Sequence, residues 1–221
     1  MKQFAILILI ALSLGCTPTR VIEPLSKGET QIQGHFGGPI IEFAGLTIPI
    51  PNTTIAVNHG LTEKTTLSGG LHFTSMAFEN WQIDLGVHHG FLTPSGKRPG
   101  LTGSLQINAL KAMYHPDFRL WPETQLTAYW KVKKSTLFVS PGSWWELAST
   151  RAFGEPITNR WLPYVTIGAR LPHHSWNFGL DFRYMGMNLE NSGKVVYYAT
   201  PFNKGAAGIY LSATKTIRKK P

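Results

Sequence analysis

Histidine and serine side chains are the residues of this sequence that could carry out nucleophilic catalysis. Two histidines are followed closely by a serine, His72 by Ser75 and His174 by Ser175. A serine becomes a nucleophile when a base within hydrogen-bond reach removes its proton. Neither pair belongs to a recognisable motif, and Ser143 lacks the flanking glycines, two positions away on each side, that define a nucleophile elbow. We therefore expect a protein that is not an enzyme and has no catalytic residues.

The eight histidines also raise the question of a metal site. Zinc is normally held by three or four converging ligands, and the histidines show no such spacing. His88 and His89 are neighbours, so on a strand they project to opposite faces and cannot bind one ion together. His72 and His88 share a face and could approach each other across strands. We expect neither a metal nor any other cofactor.

The N-terminus carries an export pattern. Lys2 precedes an apolar run at residues 4–14, which is too short to cross a bilayer as a helix. The run leads to Gly15 and Cys16, the only cysteine of the chain. This arrangement resembles the lipobox of bacterial lipoproteins, which implies cleavage before Cys16 and acylation of its thiol, for example with palmitate. In such lipoproteins an aspartate after the cysteine favours the inner membrane, so the resemblance also implies that Thr17 at this position favours sorting to the outer membrane.

The composition favours a β-rich membrane protein. The 221 residues include 22 glycines, 12% aromatic residues and 15% charged residues, whereas soluble proteins average about 25% charged residues. The net charge of +9 comes from lysines and arginines scattered along the chain. Proteins that bind nucleic acid concentrate such charge on one face or helix. We therefore expect an exported protein without a nucleic-acid partner.

Hydrophobic residues recur with a period of two from about residue 29 onward. In residues 81–88 the odd positions are apolar and the even positions are polar or small. This alternation predicts strands with one apolar and one polar face. Together with the export pattern, it divides the chain into a signal peptide (1–15), a lipid-anchored tether (16–28), a strand region that forms the barrel (29–217) and a basic tail (218–221). We expect about ten strands, with eight as the alternative, at residues 29–37, 52–60, 65–75, 80–91, 100–114, 123–132, 135–141, 161–171, 175–187 and 204–217.

These strands must close on themselves, because a long sheet cannot leave its edges unpaired in lipid. We therefore predict an all-β fold, a closed antiparallel transmembrane β-barrel. Short turns alternate with longer connections, as in small bacterial outer-membrane β-barrels, which the strand region resembles. That resemblance implies that the short turns face the periplasm.

Alternation alone does not say which face points inward. Tryptophans at the ends of the strands favour an apolar outer face with aromatic girdles, and we expect this of Trp81, Trp121, Trp161 and Trp176. The inward face then carries a polar network of His72, Asp84, His88, Gln106, Asn108, Arg170, Asp181 and Arg183, together with Gln31, Gln33, Asn58 and Lys131. We expect its charges to pair, because an isolated charge there would be costly.

The sequence thus predicts a lipoprotein of the bacterial outer membrane, anchored at Cys16, with a non-catalytic role. That role is structural, or it is that of a subunit or narrow solute path of the cell envelope. Membrane lipid is the expected partner, and further envelope proteins are possible partners in an assembly of unspecified size. Two alternatives stay open: a lipid-anchored periplasmic barrel of lipocalin type that binds an apolar ligand, and an outer-membrane enzyme that modifies lipids.

Overall fold

The computed structural model describes residues 21–43, 45–150, 156–191 and 198–217. The predicted signal peptide, Cys16 and the basic tail at 218–221 lie outside these residues. The described elements are β1 (Thr30–Phe43), β2 (Leu46–Pro49), β3 (Thr53–Gly60), β4 (Thr65–His72), the one-turn helix α1 (Phe73–Ala77), β5 (Asn80–Leu92), β6 (Gly100–Ala112), β7 (Phe118–Val132), β8 (Ser135–Trp145), β9 (Trp161–His173), β10 (Trp176–Glu190), a 3₁₀ turn at Pro201–Asn203 and β11 (Lys204–Ile217). In this part of the chain no helix is long and apolar enough to cross a membrane.

Ten of the strands form one closed antiparallel barrel, which confirms the predicted fold class and strand number. Each strand pairs with its neighbour in sequence, and β11 returns to pair with β1. In β1, Gln31 lies opposite Asn58 of β3 on one side and Thr216 of β11 on the other. The short strand β2 pairs only with the outer part of β1, so the two form a hairpin that extends beyond the barrel.

The two ends of the barrel differ in their connections. At one end, the turn end, the strands are joined by residues 61–64, 93–99, 133–134 and 174–175, and β1 begins and β11 finishes there. At the other end, the loop end, the connections include the β1–β2 hairpin, α1 and residues 113–117, 146–160 and 191–203. Apart from residues 93–99 and 113–117, this is the division of short turns and long loops seen in outer-membrane barrels.

The apolar face of every strand points away from the barrel axis. The side chains of Leu85, Ile107 and Phe178 are 61%, 46% and 46% exposed, whereas Asp84 and Asp181 are buried at 0% and 1%. A lipocalin-type barrel requires the opposite arrangement, with apolar side chains around an internal cavity. The lipocalin alternative is therefore wrong for this chain.

A proline interrupts the hydrogen-bonded ladder between β7 and β8. The two strands pair from Val132 to Ala128 and again from Gln125 to Glu123, with a gap between. Pro141 lies in that gap, and it has no N–H to donate. The hydroxyls of Thr127 and Ser140 lie 2.8 Å apart on the buried side of the gap. A side-chain hydrogen bond thus joins the strands where the backbone does not.

Packing inside the barrel depends on glycines that leave room for large neighbours. A Cβ at Gly142 would lie 2.4 Å from Cζ of Tyr164 and 2.6 Å from the carbonyl oxygen of Thr124. We predict that Gly142→Ala lowers the stability of the barrel by about 1–3 kcal/mol, the usual cost of overpacking. The measurement is the temperature at which the compact gel band of the unboiled protein converts to the unfolded band.

Gly34→Ala is the matched control, because the nearest atom to a Cβ at Gly34 is 4.0 Å away. It should convert at the wild-type temperature. Equal shifts for the two variants would contradict the packing argument.

Candidate functional site

The lumen of the barrel holds all eight side chains of the predicted polar network. Each of these residues is at most 5% exposed, and the full set is His72, Asp84, His88, Gln106, Asn108, Arg170, Asp181 and Arg183. The pleat explains this placement, because alternate residues of a strand face the same side. The lumen is therefore the candidate functional site, and its chemistry follows from how these groups pair.

Two histidines link the walls formed by β4, β5 and β6. His72 Nε2 lies 2.8 Å from Asp84 Oδ2. His88 lies between two hydroxyls, with Nε2 2.8 Å from Ser68 Oγ and Nδ1 2.7 Å from Ser104 Oγ. These contacts engage both ring nitrogens of His88 and the carboxylate of Asp84 inside the barrel.

Glu123, which is not among the residues predicted from the sequence, is the centre of a second part of the network that joins β6, β7, β9 and β10. The hydroxyl of Tyr164 donates to Oε1 at 2.5 Å, and Nη1 of Arg183 lies 3.4 Å from the same oxygen. Asn108 Nδ2 donates to Oε2 at 3.4 Å. Arg183 also donates from Nε to Thr166 Oγ1 at 2.9 Å, and its guanidinium lies 4.3 Å from the centre of the Tyr164 ring.

Arg170 and Asp181 form a second buried ion pair. Two hydrogen bonds join the guanidinium and the carboxylate, one from Nη1 to Oδ1 and one from Nη2 to Oδ2 at 3.1 Å. The guanidinium also lies 4.9 Å from the centre of the Phe138 ring. The predicted pairing of aspartates with arginines thus holds for Asp181, whereas Asp84 contacts His72 and Arg183 contacts Glu123.

Gln106 lies between the two halves of the network. It is 1% exposed, and its Oε1 has no hydrogen-bond partner among the described residues. A Cβ at Gly86 would lie 2.7 Å from Gln106 Cγ and 2.8 Å from Ser68 Oγ. The glycine therefore makes the space that the amide occupies.

The N-terminal segment, Val21–Ser26, lies in the turn-end mouth of the barrel. It belongs to the stretch predicted as a tether, yet Val21 and Ile22 are 3% and 7% exposed. Ile22 packs with Tyr129 and Phe138 of the barrel wall. The described part of the predicted tether therefore packs inside the barrel mouth and does not extend away from the barrel.

Hydrogen bonds and an ion pair also hold the N-terminal segment. Thr102 Oγ1 donates to the carbonyl of Ile22 at 2.9 Å, and the N–H of Leu25 donates to Thr66 Oγ1 at 2.8 Å. Glu23 pairs with Lys131 at the exposed rim. Under the segment lies a cavity of about 290 Å³ that is also lined by Gln31, Gln33, Arg170, Asn177 and Thr214.

An apolar cluster occupies the lumen at the loop end. It contains Leu110, Trp121, Trp144, Leu162, Tyr164, Met185 and Tyr210. The ring centres of Trp121 and Trp144 are 6.2 Å apart, and the indole N–H of Trp121 donates to Glu146 Oε2 at 2.6 Å. Both mouths of the lumen are therefore filled.

The expected place of Trp121 in the outer girdle is wrong. It is 4% exposed inside the barrel, whereas Trp81, Trp161 and Trp176 face outward at 48%, 48% and 43%. The reason is the register of β7, in which Trp121 shares the inward parity of Glu123. The same parity rule turns Trp144 inward and leaves its neighbour Trp145 outside.

The pairs that could do chemistry have other partners or lie apart from the lumen. Ser75 donates to the side chain of Gln82, and His72 contacts Asp84. His174 and Ser175 are exposed at the turn end. Among the described residues no three His, Cys, Asp or Glu side chains are grouped so as to hold a metal ion.

Comparisons with known proteins give the class of this fold. The chain matches no protein-family model and no curated protein. It is similar to an outer membrane channel from Pseudomonas putida F1, with 10% identity, a TM-score of 0.53, and coverage of 91% of this chain and 100% of that chain. It also matches the translocator domain of the autotransporter NalP from Neisseria meningitidis, with 12% identity, a TM-score of 0.49, and coverage of 97% and 94%. The likeness to the channel shows that this chain has the fold of a bacterial outer-membrane β-barrel.

The buried and exposed ion pairs of the lumen should differ in their effect on stability. Glu123→Gln leaves the Arg183 guanidinium buried without a carboxylate, so we predict a loss of about 3–5 kcal/mol in the free energy of unfolding. Glu23→Gln removes the partner of Lys131 at the exposed rim, where such a pair contributes about 0–1 kcal/mol. Urea unfolding in detergent micelles, followed by tryptophan fluorescence, measures both. Equal losses would contradict the central place of Glu123.

Proposed function

We propose that this protein is an outer-membrane β-barrel lipoprotein with a non-catalytic, structural role in the bacterial cell envelope. The observation that carries this proposal is the separation of the side chains into an apolar outer wall and a polar, internally paired lumen. Water would solvate such an outer wall poorly, whereas the hydrocarbon of a bilayer covers it without cost. The fold shared with outer-membrane barrels supports the same environment.

The height of the apolar wall supports a bilayer-spanning arrangement. On β5 the outward residues run from Trp81 to Phe91, which are 48% and 56% exposed. Ten residue steps at about 3.4 Å each, tilted by roughly 40°, rise about 26 Å along the barrel axis. The apolar band of outer-membrane barrels is about 25 Å tall. Aromatic residues stand at both limits, where the headgroups would lie.

The position of the N-terminal segment is compatible with a lipid anchor at Cys16. Five residue steps separate Cys16 from Val21, and an extended chain spans at most about 3.6 Å per residue, or roughly 18 Å in all. That reach is comparable with the distance from the mouth of a narrow barrel to the surrounding lipid. An anchor in the leaflet at the turn end would therefore be within range, and the turn end would face the periplasm.

A structural role is favoured over transport because the lumen is closed along its length. The N-terminal segment fills the turn-end mouth, paired polar side chains fill the middle, and the apolar cluster fills the loop end. The buried His72, His88 and Glu123 each have a partner within the lumen, namely Asp84, Ser68 and Tyr164, which supports a non-catalytic role. A narrow solute path is the second candidate, and the cavity under the N-terminal segment is the observation that favours it.

Membrane extraction tests the proposed location and anchor. We expect Cys16→Ala protein to remain in the outer-membrane fraction after an alkaline carbonate wash and to need detergent for release, because the barrel wall itself holds it there. Metabolic labelling with a palmitate analogue should mark the wild type and not the variant. Release of Cys16→Ala by carbonate would contradict a spanning barrel. Absence of label from the wild type would contradict only the anchor.

Conductance separates the two candidate roles. The structural role predicts that neither the wild type nor Ile22→Asp shows stepwise current in planar bilayers, because the middle and the loop end of the lumen stay filled. A narrow path predicts steps for Ile22→Asp, which removes the apolar contact with Tyr129 and Phe138. Lys27→Asp is the control, since Lys27 is exposed in the same stretch of chain. Current steps in Ile22→Asp that are absent from Lys27→Asp would contradict the structural role and favour the narrow solute path.

A further inference from the structure

The charged side chains are distributed unequally between the two ends of the barrel. Exposed cations at the turn end form a set that we call the basic rim: Lys27, Lys64, Lys97, Arg98, Lys131, Lys133, Lys134 and Lys215. The acidic residues near them are Glu23, Glu29 and Glu63. Among the described residues of the loop end, the cations are Lys111, Arg119, Arg160 and Lys204, and the anions are Glu42, Glu79, Asp117, Glu146 and Glu190. The turn end is therefore strongly cationic and the loop end is nearly balanced.

The basic rim surrounds the barrel and is not confined to one side. Lys64 lies in the β3–β4 turn, Lys97 and Arg98 lie in the β5–β6 turn, and Lys133 and Lys134 form the β7–β8 turn. Lys215 lies near the end of β11. A protein partner of ordinary size would contact one contiguous patch, whereas a ring of charges faces every direction from the barrel axis. The geometry fits an annulus of small anions.

The basic rim also lies at the height of the aromatic boundary. Lys215 Nζ lies 5.6 Å from the centre of the Trp176 ring, and Trp176 faces outward at 43% exposure. Tryptophan marks the headgroup level in membrane proteins, and long lysine side chains extend from this level toward water. The cations are therefore within reach of lipid phosphates.

We propose that the basic rim binds the anionic phospholipid headgroups of the leaflet at the turn end, and so enriches these lipids around the barrel. The proposal rests on the proposed membrane insertion and names the lipid class that contacts this rim. Ammonium and guanidinium groups bind phosphate oxygens by charge-assisted hydrogen bonds. With the turn end in the periplasm, the available anions are phospholipid headgroups such as phosphatidylglycerol.

The test uses the full-length protein reconstituted in nanodiscs made from equal amounts of phosphatidylcholine and phosphatidylglycerol. The ratio of the two lipids that stay with the protein after mild detergent extraction is measured by mass spectrometry. We expect phosphatidylglycerol to be enriched in the wild type, and the enrichment to fall as salt screens the charges. Each basic residue near a membrane surface contributes a factor of roughly five, so Lys97→Gln/Arg98→Gln and Lys133→Gln/Lys134→Gln should each lose several-fold of the enrichment.

Arg160→Gln/Lys204→Gln is the matched control, since it removes two exposed cations at the loop end. It should keep the wild-type lipid ratio. An equal loss in the control, a wild-type ratio near one, or enrichment that resists salt would overturn the proposal. A preference for lipopolysaccharide over phosphatidylglycerol, when both are supplied, would also overturn it. The same holds if the rim variants lose binding to an acidic protein partner while the lipid ratio stays unchanged. Failure to enter nanodiscs at all would instead overturn the membrane insertion.

Discussion

The alternation of side chains along a closed antiparallel sheet is the constraint on which the rest of this structure depends. Once the barrel closes, each residue faces either the outside or the lumen, and its neighbour faces the other way. Asp84 and Leu85 show the result, since one is fully buried and the other is largely exposed. A shift of one residue in β5 would place Asp84 against hydrocarbon and Leu85 in the polar lumen. The two environments therefore fix the register together.

The closed lumen requires that its polar groups satisfy one another. In a narrow barrel the interior is nearly filled by side chains, so buried charges must find partners on facing strands. Glu123 meets this demand by accepting hydrogen bonds from Tyr164 and Asn108 beside the Arg183 guanidinium. The network thus ties β6, β7, β9 and β10 together across the lumen. These contacts support the proposed structural role, because hydrogen bonds and ion pairs across the lumen hold the strands together and leave little room for a pore.

Much of the fold could be predicted from the sequence because a period of two is visible without any knowledge of the partner strands. The ten barrel strands and the inward parity of residues such as Asp84 and Asp181 follow from that period. Glu123 was missed because β7 was expected to begin there, whereas it begins at Phe118 and gives Glu123 an inward position. Trp121 was misplaced for the same reason.

The pairing of the lumen charges could not be predicted from the sequence. Which arginine contacts which carboxylate depends on the register between strands that are far apart in the chain, as with Arg183 and Glu123. The packing of the N-terminal segment was equally hidden, because Pro24 and Ser26 suggest an irregular stretch whether or not it enters a barrel. The local composition shows only that the segment is irregular. The apolar surroundings of Ile22 come from Tyr129 and Phe138 of the barrel wall, which are distant in sequence.

The pairing of β1 with β11 has a consequence for the order in which the chain assembles. The side chains of Gln31 and Thr216 meet across 185 positions of sequence. Contacts between such distant residues form late, because the entropy of closing so long a loop must be overcome first. Because β11 is synthesised last, the edge of β1 that pairs with it stays unpaired until the whole chain is available. An unpaired edge of this kind is prone to pair with other chains, so this topology leaves the first strand open to such pairing until the last strand arrives.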